Sequence, residues 1–148
     1  MPSPADFDEW SSVTLPGHLG IETLVAEHGL LVQRLEVAPH LMAPNGYLHG
    51  GTVIALADTA AGYGCVASLP EAASGFTTIE LKANFTGTAR EGAIRCEARM
   101  IHEGRTTQVW DATVTRESDH KVLAHVRVTQ MVLYPTSARE APDRSVNS

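Results

Sequence analysis

Thr52-Val53-Ile54-Ala55-Leu56-Ala57-Asp58-Thr59-Ala60-Ala61-Gly62-Tyr63-Gly64-Cys65-Val66-Ala67-Ser68-Leu69 is the one strong helix candidate in the chain, and its reading decides the fold. It has no apolar stripe. It is apolar nearly all round, which requires burial on most faces. Ala55, Ala57, Ala60, Ala61, Gly62, Gly64 and Ala67 are small, so neighbouring backbone can approach closely. The run is only marginally long enough to cross a bilayer, and Asp58 near its middle would be costly there. It therefore reads as the central helix of a soluble protein.

Around this helix the pattern changes from helical to period two. Before it, Ile21–Glu27 and Leu30–Ala38 read as strands joined at His28-Gly29, and Pro39–Gly51 reads as a loop with a turn at Pro44-Asn45-Gly46. After it, Phe76–Phe85 is a strand. Ile94, Cys96, Ala98 and Met100 share one face of the next, and Trp110, Ala112 and Val114 continue that face beyond a turn at Gly104. Val122, Ala124, Val126 and Val128 form a last run. The expected fold is α+β: an antiparallel meander of five or six strands, one face buried, covering one long helix. Residues 16–135 form the single domain. Residues 1–15 read as a flexible lead-in and 136–148 as a flexible tail, both polar and rich in Pro or Ser.

With 148 residues, 43 % of them apolar, the chain can bury a core. Its net charge of −6 and few aromatics argue against general nucleic-acid binding but leave room for a local basic patch. Cys65 and Cys96 fit neither a disulfide framework nor a zinc site, and the seven His lack ligand spacing, so no metal is expected. The acidic N-terminus lacks the pattern of a signal peptide, and a cytoplasmic setting is the expectation. There is no phosphate-binding loop, dinucleotide glycine pattern or nucleophile elbow.

Chemistry concentrates between Asn45 and Asp58. A carboxylate in an apolar helix is a tuned acid, a cap for a neighbouring loop, or a group that reaches solvent, and composition does not choose among them. His49-Gly50-Gly51 is either a packing turn or a helix start whose N–H groups polarise a carbonyl. If both are functional, distance matters. Asp58 lies eight residues beyond Gly50, about 12 Å along a helix at ~1.5 Å per residue. One reacting carbon cannot touch both, so one chain's Asp58 must serve another chain's Gly50.

The run Asn45–Asp58, the Leu56-Ala57-Asp58-Thr59 continuation, the strand Thr77-Thr78-Ile79-Glu80-Leu81 and the stretch Gly104-Arg105-Thr106-Thr107 before Val109-Trp110-Asp111 resemble the hotdog-fold acyl-CoA thioesterases of the PaaI type, over most of residues 20–134. The resemblance implies a sheet wrapped around a central helix, homodimers that pair into homotetramers, and hydrolysis of acyl-CoA without a cofactor. It implies Asp58 as the catalytic acid, Gly50 as the N–H that polarises the thioester carbonyl, His49 as its neighbour and Thr78 as a hydroxyl that positions water. Many relatives carry Asn or Gln where this chain has Ala43. Either Asn45 takes that place through a shifted loop or the helper is missing. Arg90, Arg105, Thr106 and Lys82 fall where relatives bind the nucleotide end of coenzyme A, against the plain reading of solvated strand-end charge. Tyr47, Tyr63 and Phe76 are expected around an aromatic or medium-chain acyl group. Two other readings stand beside hydrolysis: a hotdog hydratase or dehydratase, and a non-enzymatic acyl-CoA sensor.

Overall fold

A computed structural model describes residues 1–136. Two short helices, α1 (Pro4–Ser11) and α2 (Leu15–Leu19), precede the hairpin β1 (Glu22–Glu27) and β2 (Leu30–Glu36). One 3-10 turn (Pro39–Leu41) leads to the long helix α3 (Gly50–Ala67), followed by β3 (Gly75–Phe85), β4 (Ala93–Glu103), β5 (Thr107–Arg116) and β6 (Val122–Leu133). The six strands form one antiparallel sheet in the order β1-β2-β4-β5-β6-β3. α3 packs against every strand.

The small residues of α3 let the sheet close on it. A Cβ at Gly64 would sit 2.6 Å from the ring of Trp110, which is completely buried. That indole N–H donates to Gln108 Oε1 (3.0 Å), and Gln108 Nε2 donates to the Ser68 carbonyl (3.1 Å) just past the helix end. These bonds satisfy polar groups that burial would otherwise leave unpaired, and they pin the C-terminus of α3 to β5.

The expected meander holds for β4-β5-β6, but β3 is an edge strand beside β6. Seven residues, 86–92, carry the chain from β3 back to β4. Three strand spacings of about 4.8 Å separate those strands, roughly 14 Å, well within the reach of seven extended residues. Thr88 ties this crossing to its surroundings. Its hydroxyl accepts from the Leu48 N–H (3.0 Å), and its carbonyl accepts from Arg116 Nη1 (2.8 Å).

The lead-in expected at 1–15 is corrected. Ser3 and Asp6 form a reciprocal cap, Ser3 N–H to the Asp6 carboxylate at 2.7 Å and Asp6 N–H to Ser3 Oγ at 3.3 Å, with Pro4 in the first turn. The Phe7 ring stacks on Tyr63 at 4.6 Å and is completely buried. Asp8 Oδ1 accepts from the Thr23 N–H (2.8 Å), holding α1 to β1. From residue 137 on, the expected tail lies outside the described residues.

Phe7→Ala removes the side chain that anchors α1. Denaturant unfolding should show a loss of about 3 kcal/mol or more. A change within about 0.5 kcal/mol is what a freely moving lead-in would give.

Candidate active site

His49 caps α3. Its Nδ1 accepts from the Gly51 N–H (2.8 Å), and its carbonyl accepts from the Thr52 N–H (2.9 Å). With Nδ1 an acceptor, the ring proton of the neutral imidazole sits on Nε2. Among the described residues the Gly50 N–H has no partner at the positive end of the helix. Beside it opens a cavity of about 480 Å³ lined by Asn45, Tyr47, Gly50, Phe85, Arg116 and Lys121, among others. Asn45 Oδ1 accepts from the Tyr47 N–H (3.2 Å), which shapes the turn, and Arg90 lies over the Tyr47 ring at 5.0 Å.

Asp58 lies on the strip of α3 that the sheet leaves half-covered, together with Ile54, Ala55, Thr59, Tyr63 and Val66. Its Oδ1 is buried and makes no hydrogen bond among the described residues. Burial pushes its carboxyl above the usual carboxylate range, and the Thr78 hydroxyl, the side-chain donor set against it, partly offsets that.

Thr78 reaches Asp58 because β3 carries a bulge. The register shifts between Thr78 and Glu80, leaving Ile79 extra. Phe76 and Thr78 therefore pair with the buried Val132 and Gln130, and after the bulge Leu81 pairs with the buried Val128. All point toward α3, whereas Lys82 falls on the outer face. The Thr78 hydroxyl bonds Gln130 Oε1 at 2.7 Å.

The other expected residues do not converge within the chain. Lys82 lines an outer groove of about 320 Å³ beside the Asp111–Arg127 ion pair (2.6 Å). Arg105 and Thr106 sit in the β4–β5 turn near the C-terminal end of α3, and the Arg105 guanidinium is 5.9 Å from the Tyr134 ring. The three aromatic residues are also dispersed. Tyr47 borders the cavity at Gly50, Phe76 lies on Gly62, and the Tyr63 hydroxyl bonds Ser11 Oγ at 2.7 Å. Sequence reading missed Arg116, Lys121 and Gln130. Gln130 carried a legible signal: it occupies the buried parity of Val126, Val128 and Val132. Cys65 and Cys96 are buried free thiols, both pushed up to about 12, which makes them poor nucleophiles. Among the described residues no group of three His, Cys, Asp or Glu is placed to hold a metal, and no helix is long and apolar enough to cross a membrane.

Residues 45–123 match the family model described as the thioesterase superfamily. The chain belongs to this family. It is 37 % identical over 111 residues to the 1,4-dihydroxy-2-naphthoyl-CoA hydrolase of Listeria monocytogenes, covering 75 % of this chain and 89 % of that protein. It is 34 % identical over 113 residues to the proofreading thioesterase EntH of Klebsiella pneumoniae, covering 75 % and 80 %. The solved structure of a thioesterase from Haemophilus influenzae superposes with a TM-score of 0.86 at 26 % identity, covering 94 % of this chain and 96 % of that one. The hotdog architecture and the class, a hydrolase of thioesters, are thereby shown.

The Asp58 carboxyl, raised in the folded chain, makes stability depend on pH. Between the ordinary carboxylate value of 3.8 and the raised one, the folded chain holds a proton that the unfolded chain has released. This contribution is fully present below the ordinary value and is lost as pH rises through the raised one. Asp58→Asn, neutral at every pH, should therefore melt higher than wild type at about pH 7, with the gain closing below about pH 4. An equal difference at both pH values would contradict this account.

Proposed function

We propose that the protein hydrolyses acyl-CoA thioesters at a site shared between two copies, Asp58 of one facing Gly50 of the other. The observation that carries the reading is the pairing of two unfulfilled groups on one helix. A buried carboxylate oxygen lacks a partner and so does the first N–H of the helix, eight residues away. Two-fold pairing of antiparallel α3 helices brings each Asp58 to its partner's Gly50 and makes two equivalent sites. The free edge of β3 supports that pairing. It is eleven residues long and displays Ile79 and Phe85, each about half exposed.

At such a site the Gly50 N–H, backed by the helix dipole, receives the charge that develops on the thioester oxygen. Asp58 acts in one of two ways. As a base it takes a proton from water as that water attacks the carbonyl carbon, then returns the proton to the departing thiolate. As a nucleophile it attacks the carbon itself, expels the thiolate and forms a mixed anhydride that water then opens. Thr78 orients the carboxylate or the water. Arg90 and Lys121, around the cavity at Gly50, offer positive charge to the phosphates of coenzyme A, whereas the Arg116 guanidinium there is already held by Asp119 and the Thr88 carbonyl. The antiparallel pairing brings the Arg105–Thr106 turn of one copy toward that end of its partner.

His49 favours hydrolysis over hydration. Its Nδ1 is occupied by the Gly51 N–H, which suits a helix cap rather than a proton shuttle at acyl carbons. The naphthoyl-CoA hydrolase among the relatives adds a bicyclic aryl-CoA to the substrates worth testing beside phenylacetyl, hydroxybenzoyl and straight-chain acyl-CoA.

Thiol release over this panel should identify at least one substrate, and Asp58→Asn should lower kcat for it by about a thousandfold or more. Near-normal hydrolysis by that variant would overturn the role of Asp58. Crotonyl-CoA losing its enoyl absorbance without thiol release would indicate a hydratase, and binding without turnover would indicate a sensor. Gly50→Pro removes the N–H at a position where proline suits a helix. Mixing folded Asp58→Asn and Gly50→Pro subunits should restore about one site per mixed dimer. Confirmed mixing without recovery would place the whole site in one chain.

A further inference from the structure

Gln130 is completely buried on β6, yet among the described residues its Nε2 makes no hydrogen bond. Its Oε1 is taken by the Thr78 hydroxyl. Asp58 Oδ1 is likewise buried and unpaired among the described residues, and Thr78 is the side-chain donor beside that carboxyl. A donor and an acceptor thus stand unfulfilled around one hydroxyl.

The register explains why the three meet. Phe76 lies on Gly62, one helical turn beyond Asp58. Two residues along β3 advance about 6.6 Å, and four residues back along α3 retreat about 6 Å, which sets Thr78 opposite Asp58. The cross-strand partner of Thr78 is Gln130. No charged group intervenes. The inner faces of β3 and β6 here carry Phe76, Thr78, Leu81, Val128, Gln130 and Val132. On α3 the flanking titratable groups are His49, which caps the helix, Tyr63, tied to Ser11, and the buried Cys65 thiol, pushed up to about 12. From α1, the side packed on Tyr63 is the uncharged Phe7.

A hydroxyl has one proton to give. When it donates to Gln130 Oε1, it can only accept from Asp58, which suits a protonated carboxyl. An ionised carboxylate needs that proton itself, and the amide must then present Nε2 to the Thr78 oxygen. With its nitrogen and oxygen exchanged on the same atomic positions, Gln130 donates to Thr78 and Thr78 donates to Asp58. The amide nitrogen and the carboxylate oxygen are then both paired, and the one unpaired atom is a carbonyl oxygen, a less costly orphan than an N–H. We propose that Gln130 is a positioning residue that directs the Thr78 hydroxyl and, through it, supplies a donor to the ionised Asp58 carboxylate. As a contribution to turnover, the relay rests on the thioesterase reading above. Its effect on Asp58 itself does not.

The test compares wild type with Thr78→Val, Gln130→Met, the double variant and Thr78→Ser, following the Asp58 carboxyl carbon by ¹³C NMR titration and, separately, kcat and KM. Thr78→Val should move the Asp58 midpoint upward and lower kcat about ten- to a hundredfold, with KM within about threefold. Gln130→Met should move both in the same direction but less. The double variant should match Thr78→Val, because Gln130 acts through the hydroxyl, and Thr78→Ser should stay close to wild type. Gln130→Glu keeps the shape but, once ionised, only accepts. It should hold the hydroxyl away from Asp58 and raise the midpoint most. Additive effects in the double variant, or an Asp58 midpoint unmoved by both Gln130 substitutions, would overturn the relay. If wild type hydrolyses nothing in the panel, the thioesterase reading fails and the NMR titration still decides the relay.

Discussion

The structure depends on how closely a sheet can approach a helix. α3 meets Trp110 at Gly64, Phe76 at Gly62 and Phe85 at Gly50, and in each case the ring occupies or crowds the space a side chain would need. Large side chains on the helix would push the strands out and leave voids that a close-packed interior does not tolerate. Alanines and glycines on the helix, with rings supplied by the strands, solve the packing from the other side. The sheet can then wrap around α3, and the Gln108–Trp110–Ser68 bonds fix the helix along its axis.

That enclosure sets the environment of Asp58. An acid on an open helix would be well hydrated and ordinary. Here the surrounding apolar faces withhold solvent and raise its carboxyl, while one hydroxyl stands against it. The same rigid helix holds the unpaired Gly50 N–H about 12 Å away, eight residues at ~1.5 Å each. Rigidity forbids the two from meeting within one chain, so the site proposed above needs a partner copy.

Much of this was legible because it depends on local pattern. The period-two strands, the all-round apolar helix and the acid within it were readable residue by residue, as were the helix-starting glycines. The N-terminal helix was also legible and was missed. Ser3-Pro4-Ala5-Asp6 is a capping sequence, but a polar composition suggested a free lead-in, and the burial of Phe7 depends on Tyr63 more than fifty residues away. Gln130 was readable as a polar group on a buried parity, though its contact with Thr78 was not.

The element types, the central helix, the family resemblance and the candidate residues Asp58, Gly50 and Thr78 were readable from residue order alone. These follow from side-chain periodicity and from short motifs, which are properties of neighbours in the chain. The folded chain adds that β3 lies at the sheet edge beside β6, that a bulge at Ile79 turns Thr78 inward and Lys82 outward, and that Arg116 and Lys121 flank the helix start. Strand order and register are set by long-range packing. A one-residue bulge reverses every side chain beyond it, so nothing local to residues 75–85 reveals which of them faces the acid.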